Sequence, residues 1–152
     1  MGPGMSIKQM TDGHQIENFT EAVGKKITAL ELVKEDDSNR EQYTDALRFI
    51  FEDGTGIEIY DDGRNCCEIR YMTTDDDLSY HVGATLMGAT IEDAPETTDK
   101  WGEVHEIQFL AITTSKGVFT MQTHNENNGY YGGFWIKINK ITKEDDNANS
   151  QS

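Results

Sequence analysis

The sequence predicts a mostly β domain of the α+β class: an antiparallel sandwich or partly open barrel of seven to eight strands, with one or two short helices. Short runs alternate apolar and polar residues with the period of two that a half-buried strand requires. Turn-forming pairs such as Asp53-Gly54 separate the runs. The runs also recur at regular spacing through the chain of 152 residues, a length that fits one domain.

The first elements precede this alternating region. Residues 1–4 are typical of a cloning scar and residues 5–14 of a flexible N-terminus, so the domain is predicted over residues 15–142. Ile16, Phe19 and Ala22 fall at helical spacing, and Gly24 follows as a C-cap, which predicts a short helix over residues 15–23. The next run, residues 26–34, fits a strand or a continued helix, and its β-branched content favours the strand.

The middle of the chain has the clearest alternation. Residues 46–51 and 57–60 flank Asp53-Gly54 and predict a β-hairpin. Residues 66–73 predict a third strand. The acidic residues that follow it suit the first turn of a single helical turn, because carboxylates complement exposed amide groups there.

The last third predicts a second hairpin and a closing strand. A strand over residues 84–91 leads into a polar surface loop over residues 93–100. Residues 107–112 and 118–123 then form the hairpin, and a loop over residues 124–133 precedes the closing strand from Phe134 to Ile138. Residues 143–152 contain no large apolar side chain, which predicts a disordered acidic tail.

Charge limits the classes of partner. The chain carries 13 Lys and Arg against 28 Asp and Glu, for a net charge of −15. Such a surface repels nucleic acid and anionic membrane and attracts basic proteins. The acids serve solubility in one interpretation, and imitate a nucleic-acid backbone in the other. The sequence has no run of about 20 apolar residues that would span a membrane and no recognisable secretion signal, so we expect a cytoplasmic protein.

Residues for catalysis or metal binding are sparse. The two cysteines, Cys66 and Cys67, are adjacent in sequence. Adjacent cysteines exclude a disulfide framework, and they do not have the spacing that the ligands of a zinc site need. A reactive thiol assisted by a histidine and a purely structural role both remain open. We therefore predict no catalytic residue, no metal ligand and no cofactor.

A loop rich in Asn and Tyr is the most unusual segment. Aromatic side chains provide rigid contact area and Asn provides hydrogen bonds, so the segment suits recognition; the alternative is a loop that covers the core. The predicted binding residues are Asn125, Asn127, Asn128, Tyr130, Tyr131 and Trp135, together with the acidic Asp75, Asp76 and Asp77.

Several short motifs resemble an uncharacterised small domain family of tailed phages and prophages. The matching pieces are Glu52-Asp53-Gly54, Asn65-Cys66-Cys67-Glu68, Asp76-Asp77-Leu78 with Gly83, Thr113-Thr114-Ser115-Lys116-Gly117 and Asn127-Asn128-Gly129-Tyr130-Tyr131. This chain has Asn65 where the family usually has Asp, and Gly132 where it usually has Ser. The family carries no assigned reaction, and the resemblance implies a small accessory protein of a phage or mobile element.

These observations predict a non-enzymatic acidic binding protein. The resemblance implies a phage-encoded protein that inhibits a basic host or defence protein in the bacterial cytoplasm, and the charge suggests mimicry of nucleic acid. One alternative is a sponge for a nucleotide-like ligand. It requires a pocket near Tyr130, Tyr131 and Trp135, with at least one of Arg48, Arg64 or Arg70 pointing into it. A second alternative is a cysteine-dependent enzyme. The sequence leaves the oligomeric state open.

Overall fold

The residues that the structure describes form two antiparallel sheets. The structure, a computed structural model, describes residues 5–6, 13–34, 45–62, 69–94, 96–128 and 133–141. The elements in chain order are β1 (Met5–Ser6), α1 (Gly13–Ala22), β2 (Ile27–Val33), β3 (Ala46–Phe51), β4 (Gly56–Asp61), β5 (Ile69–Thr73), a 3-10 helix (Leu78–His81), β6 (Leu86–Asp93), β7 (Thr97–Thr98), β8 (Val104–Thr114), β9 (Gly117–Asn127) and β10 (Ile136–Ile141).

The two sheets differ in size. The large sheet has the order β1-β6-β8-β9-β5, with β7 paired to β8, and the small sheet has the order β10-β4-β3-β2. The long β8–β9 hairpin, which is paired from Val104↔Asn127 to Thr114↔Gly117, forms the centre of the large sheet. Within the described ranges the strands do not close into a barrel.

One hydrophobic core lies between the sheets. Phe49 of the small sheet meets Phe119 of the large sheet with ring centroids 6.4 Å apart. Leu47 and Ile59 on one side, and Ile112 on the other, are completely buried. Burial of each such side chain contributes roughly 1.5–3 kcal/mol, so this layer is the main source of stability.

Short contacts join the sheets at two places. The Gly24 N–H donates to the Leu86 carbonyl (2.8 Å), and Gly24 has the positive φ expected of a helix C-cap. Farther along, the buried Asp45 carboxylate accepts hydrogen bonds from the Met72 N–H (2.8 Å) and from Lys34 Nζ (3.1 Å). The start of β2 is thereby tied to β6, and the start of β3 to β5.

The structure confirms the predicted fold class. The described residues contain eight strands longer than two residues, together with the two-residue strands β1 and β7, one α-helix and one 3-10 turn. β7 lies inside the predicted loop over residues 93–100. Met5–Ser6 pairs with β6 inside the segment predicted to be flexible. The predicted scar (1–4), the predicted tail (143–152), and residues 66–68 of the predicted third strand lie outside the described residues.

The predicted loop over residues 124–133 is wrong at its beginning. β9 continues through Asn127, because its last residues pair with β8 and β5, for example His105↔Glu126 and Arg70↔Asn125. Asn125 and Asn127 occupy the inward positions of this extension, where apolar residues are usual. The polar composition therefore resembled a loop although the backbone is a strand.

Candidate binding cleft

A cleft opens at the end of the sandwich where β8 begins. Its volume is about 310 Å³, and it is lined by Asp93, Ala94, Glu96, Glu106, Gln108, Gly133 and Phe134. Three of these lining residues are carboxylates, and none is a lysine or arginine. The cleft is therefore suited to a cationic group and opposes a phosphate.

The strands place two of the carboxylates. Leu110 and Ile112 fill the inward positions of β8 within the core, and the same face continues outward to Gln108 and then Glu106. Asp93 ends β6 directly opposite Gln108, whose amide Nε2 donates to Asp93 Oδ1 at 2.9 Å. The Gln108 side chain is buried, so this contact fixes one oxygen of Asp93 in the cleft.

Gly133 forms one wall of the cleft and is held from two sides. Its N–H donates to Glu106 Oε2 at 2.7 Å. Its carbonyl accepts hydrogen bonds from Arg70 Nη1 (2.9 Å) and Asn125 Nδ2 (3.1 Å). The φ of Gly133 is +84°, a conformation that L side chains rarely adopt. We call this arrangement of Glu106, Arg70 and Asn125 around Gly133 the Gly133 clamp.

A buried ion pair supports the clamp. Arg70 Nη1 lies 2.6 Å from Asp61 Oδ2, and the two side chains are only 7% and 2% exposed. The other carboxylate oxygen of Asp61 accepts the Trp135 N–H at 2.9 Å. The Arg70 guanidinium also lies 5.2 Å from the centre of the Trp135 ring. Asp61 and Arg70 thus position both Gly133 and Trp135.

The predicted asparagines divide between the interior and the surface. Asn125 is 0% exposed and Asn127 is 5% exposed. Asn127 Nδ2 donates to Asn125 Oδ1 at 3.3 Å, and Asn125 belongs to the clamp. Asn128, directly after β9, is exposed. The two buried asparagines accordingly shape the site from within, whereas Asn128 lies at its surface.

The predicted aromatic contact is described in part. The Trp135 side chain is 51% exposed, and its ring lies beside Gly133, which lines the cleft, although Trp135 itself does not line it. Tyr130 and Tyr131 lie outside the described residues. Trp101, in the turn between β7 and β8, is 77% exposed at the same end of the large sheet. This end therefore presents two exposed tryptophans.

The predicted acidic run lies elsewhere. Asp75, Asp76 and Asp77 are all exposed. Asp77 Oδ1 accepts the Ser79 N–H (3.0 Å) and caps the 3-10 helix, and Asp76 Oδ2 accepts the Thr120 N–H (2.7 Å). Thr120 precedes Asn125 by five residues on β9, which is about 17 Å along a strand. The structure does not bring this run together with Trp135.

A histidine pair lies on the opposite face of β8 and β9. His105 Nε2 and His124 Nδ1 are 2.9 Å apart, and His124 Nε2 is 2.8 Å from Thr73 Oγ1. Thr73 Oγ1 donates its proton to Gln122 Oε1, so His124 Nε2 must donate to Thr73. In its neutral form His124 therefore accepts from His105 at Nδ1.

Burial shifts the pKa values of His124 and of the neighbouring Tyr71. The pKa of His124 is lowered, first by burial and then by the neighbouring His105. The Tyr71 ring stacks on His124 with centroids 4.4 Å apart, and its hydroxyl donates to Glu126 at 2.6 Å. Burial and this hydrogen bond raise the pKa of Tyr71 to about 12. At neutral pH the histidine is therefore uncharged and the tyrosine retains its proton.

The cleft carboxylates and the buried ion pair were missed from sequence. A signal was present in β8, where Glu106 and Gln108 continue the inward positions of Leu110 and Ile112. Polar residues at inward strand positions indicate an internal hydrogen-bond network. The partnership of Asp61 with Arg70 left no local signal, because it depends on how two separate sheets meet.

Metal-binding groups and membrane-spanning helices can be assessed only for the described residue ranges. Those ranges hold no group of three or more His, Cys, Asp or Glu side chains arranged to bind a metal ion. Cys66 and Cys67 lie outside them. No helix among the described residues has the length and apolar character needed to cross a bilayer.

Comparison with known proteins gives a family and nothing closer. No curated protein and no solved structure matches the chain. One family model, described as a domain of unknown function (DUF7448), matches residues 15–136. That range extends from α1 to the first residue of β10 and includes every residue that lines the cleft. The chain therefore belongs to the DUF7448 family.

Proposed function

We propose that this protein is a non-enzymatic acidic binding protein whose cleft receives a lysine or arginine side chain of a basic partner protein. The observation that carries the proposal is the set of three carboxylates, Asp93, Glu96 and Glu106, around one cleft of about 310 Å³. A net charge of −15 adds long-range attraction for a basic partner and raises the association rate.

Preorganisation supports this function. Gln108 holds Asp93, and the Gly133 N–H holds Glu106, each through one carboxylate oxygen. Carboxylates that are already oriented lose little conformational freedom when a cation binds. Phe134 offers an apolar wall against which the methylene stem of lysine or arginine can lie.

The exposed tryptophans supply the second part of the contact. Trp135 and Trp101 both lie at the cleft end of the sandwich, and each is more than half exposed. Tryptophan is enriched among residues that dominate binding energy at protein interfaces. A partner that inserts a basic side chain into the cleft and also covers these rings would combine charge recognition with apolar burial.

The origin and purpose of the binding belong to the same proposal. The resemblance to phage and prophage domains supports a phage-encoded accessory protein that inhibits a basic host or defence protein in the bacterial cytoplasm. In this proposal the exposed Asp75, Asp76 and Asp77 take part in mimicking nucleic-acid charge. Their distance from the cleft gives them a role in steering the partner rather than in the contact itself.

The contacts favour this function over the nucleotide sponge. The Arg70 guanidinium is buried against Asp61 and bonded to Gly133, and Arg48 lies 4.0 Å from Glu58. Both arginines thus have acidic neighbours, while the cleft beside Trp135 is lined by carboxylates that repel phosphate. The contacts do not bear on a cysteine-dependent reaction, because both cysteines lie outside the described residues.

A calorimetric titration tests the cleft. The probe is a short arginine-rich peptide, and its control is the same peptide with citrulline, an uncharged isostere, in place of arginine. We expect the arginine peptide alone to bind, with an affinity that falls as salt rises. Glu96→Gln and Glu106→Gln should each weaken binding about five- to tenfold, which corresponds to the loss of one partly screened charge contact.

Glu31→Gln is the matched control for charge. Glu31 is exposed on β2, in the other sheet, so the variant has the same net charge as the cleft variants without altering the cleft. It should bind the arginine peptide within about twofold of the unmodified protein. If all three substitutions weakened peptide binding equally, net charge rather than the cleft would account for the binding. Binding of the citrulline peptide would exclude charge recognition.

A further inference from the structure

The outer face of the large sheet differs in composition from the rest of the surface. It consists of the side chains that point away from the core: Thr90 and Glu92 of β6; His105, Ile107, Phe109, Ala111 and Thr113 of β8; Val118, Thr120, Gln122, His124 and Glu126 of β9; and Ile69, Tyr71 and Thr73 of β5. We call this set the outer face. It contains no lysine or arginine and only two carboxylates.

The described helices pack elsewhere. α1 packs against β4 and β10, and the 3-10 helix packs against β2, so both lie on the side of the small sheet. Val118 and Ile69 of the outer face are 59% and 64% exposed. Ile107 and Phe109, at its centre, are only partly buried. Both described helices therefore pack mainly on the other sheet, and five of the fifteen side chains of the outer face are apolar: Ile69, Ile107, Phe109, Ala111 and Val118.

From this surface we infer that the outer face binds a second copy of this chain. Two molecules that each carry −15 repel one another at most orientations. At physiological salt the Debye length is about 8 Å, so the charges near the contact determine the balance. The outer face brings few charges together, and the carboxylate of Glu126 is already hydrogen-bonded to the Tyr71 hydroxyl.

Other occupants fit this face less well. A basic protein finds more carboxylates in the cleft, and an anionic partner finds no cation on the outer face. The chain's own residues 142–152 include Glu144, Asp145 and Asp146 but no large apolar side chain, so they have nothing to bury against Phe109. A second outer face supplies threonine, aromatic and aliphatic groups that match the first.

The area of the outer face determines how tightly the two copies are expected to bind. Strands β6, β8, β9 and β5 span roughly 14 Å between the outer two, and residues 105–113 of β8 extend roughly 27 Å. Allowing for side chains at the edges, each copy contributes on the order of 550 Å², or about 1,100 Å² in total. This lies at the low end of specific interfaces, so we expect a weak, reversible dimer with two-fold symmetry.

Sedimentation velocity over a range of concentrations, at low and at high salt, tests the inference. We expect the dimer to strengthen as salt rises, because salt screens the residual repulsion between the two copies. Peptide binding at the cleft should show the opposite dependence on salt. The two interactions are therefore separable in one protein.

Two substitutions place a new carboxylate on the face. Val118→Glu and Ala111→Glu should each raise the dimer dissociation constant by about tenfold, because in a two-fold dimer each copy brings the same added charge to the contact. Val118 is exposed enough to be replaced without opening a cavity, which guards against misfolding. Ala29→Glu, on an exposed position of β2, is the control and should leave the constant within about twofold.

Two outcomes would overturn the inference. One is that the protein remains monomeric at every protein and salt concentration, which would show that the outer face does not bind a second copy. The other is a dimer that weakens equally with Val118→Glu and Ala29→Glu, which would place the contact elsewhere. Titration of Val118→Glu with the arginine peptide should remain unchanged, because the outer face and the cleft are on opposite sides of β8.

Discussion

The two halves of the β8–β9 hairpin bury different chemistry on the same face. Toward the turn, the inward positions before the buried Thr114 hold Leu110, Ile112, Phe119 and Met121, which pack in the core. Toward the open end, the inward positions apart from Val104 hold polar groups: Glu106, Gln108, Thr123, Asn125 and Asn127. The backbone pairing is continuous across both halves, from Thr114↔Gly117 to Val104↔Asn127.

The core half therefore contributes mainly to stability, and the open half mainly to the positions of the cleft residues. Apolar side chains in the core half gain free energy from burial without directional requirements. Polar side chains in the open half must each find a partner, and among the described residues every buried side-chain polar atom has one. Directional partners fix geometry, so the open half can hold Gly133 and two cleft carboxylates in set positions.

The largest expected loss comes from the core half. Phe119 is completely buried and contacts the rings of Phe49 and His81. Phe119→Ala should lower the free energy of unfolding by about 3–5 kcal/mol, because it removes buried apolar area and leaves a cavity. Urea denaturation followed by circular dichroism measures this loss. A loss below about 1 kcal/mol would contradict the assignment of stability to this half.

The second-largest loss of stability is expected at the ion pair between Asp61 and Arg70, at the open end of the hairpin. Asp61→Ala removes the carboxylate that lies 2.6 Å from the buried Arg70 guanidinium and the acceptor of the Trp135 N–H, so we expect a loss of about 3 kcal/mol. The double variant Asp61→Leu with Arg70→Met buries no charge and should recover part of that stability. It should not recover binding of the arginine peptide, because Gly133 loses its Arg70 contact. Recovery of both would show that the pair does not position the cleft.

Sequence patterns predicted the core half better than the open half. The alternation in residues 107–112 and 118–123 predicted the hairpin, since apolar alternation is a local property of a strand. The extension of β9 through Asn125 and Asn127 was predicted to be a loop, because polar inward residues depend on distant partners. Arg70 and Glu106, which satisfy Gly133, come from two other strands. Their meeting depends on the arrangement of the sheets, which no local pattern encodes.

A smaller effect is expected at Gly133. Its φ of +84° costs an L residue about 1–2 kcal/mol, and an added Cβ would make only ordinary contact with Trp135. Gly133→Ala should therefore lower stability by that amount and weaken peptide binding. Gly88→Ala in β6 is the control, since its added Cβ meets nothing within 4 Å. It should change stability by no more than about 0.5 kcal/mol, and equal losses in the two variants would remove the special role of the Gly133 backbone.

The smallest effect is expected from pH, because a buried histidine lies next to each half of the hairpin. His81 of the 3-10 helix contacts Thr114 of the core half through Nδ1 (2.8 Å), and His124 lies beside His105 on the outer face of the open half. Burial is the main cause that lowers the pKa of each below the ordinary value of 6.5, although Asp76 and Asp77 near His81, and Glu126 near His124, act in the opposite direction. The unfolded chain therefore takes up protons at a higher pH than the folded chain does.

The sign of the pH effect follows from this difference. The stability that the neutral histidines contribute is complete above the unfolded pKa of about 6.5 and declines as pH falls through and below it. Urea titrations between about pH 7.5 and pH 5 should show this decline, ahead of carboxylate protonation. His81→Asn and His124→Asn should each flatten it in part. A decline that neither substitution changes would assign the pH dependence to other groups. A decline that only His81→Asn flattens would show that the open half tolerates a charge that the core half does not.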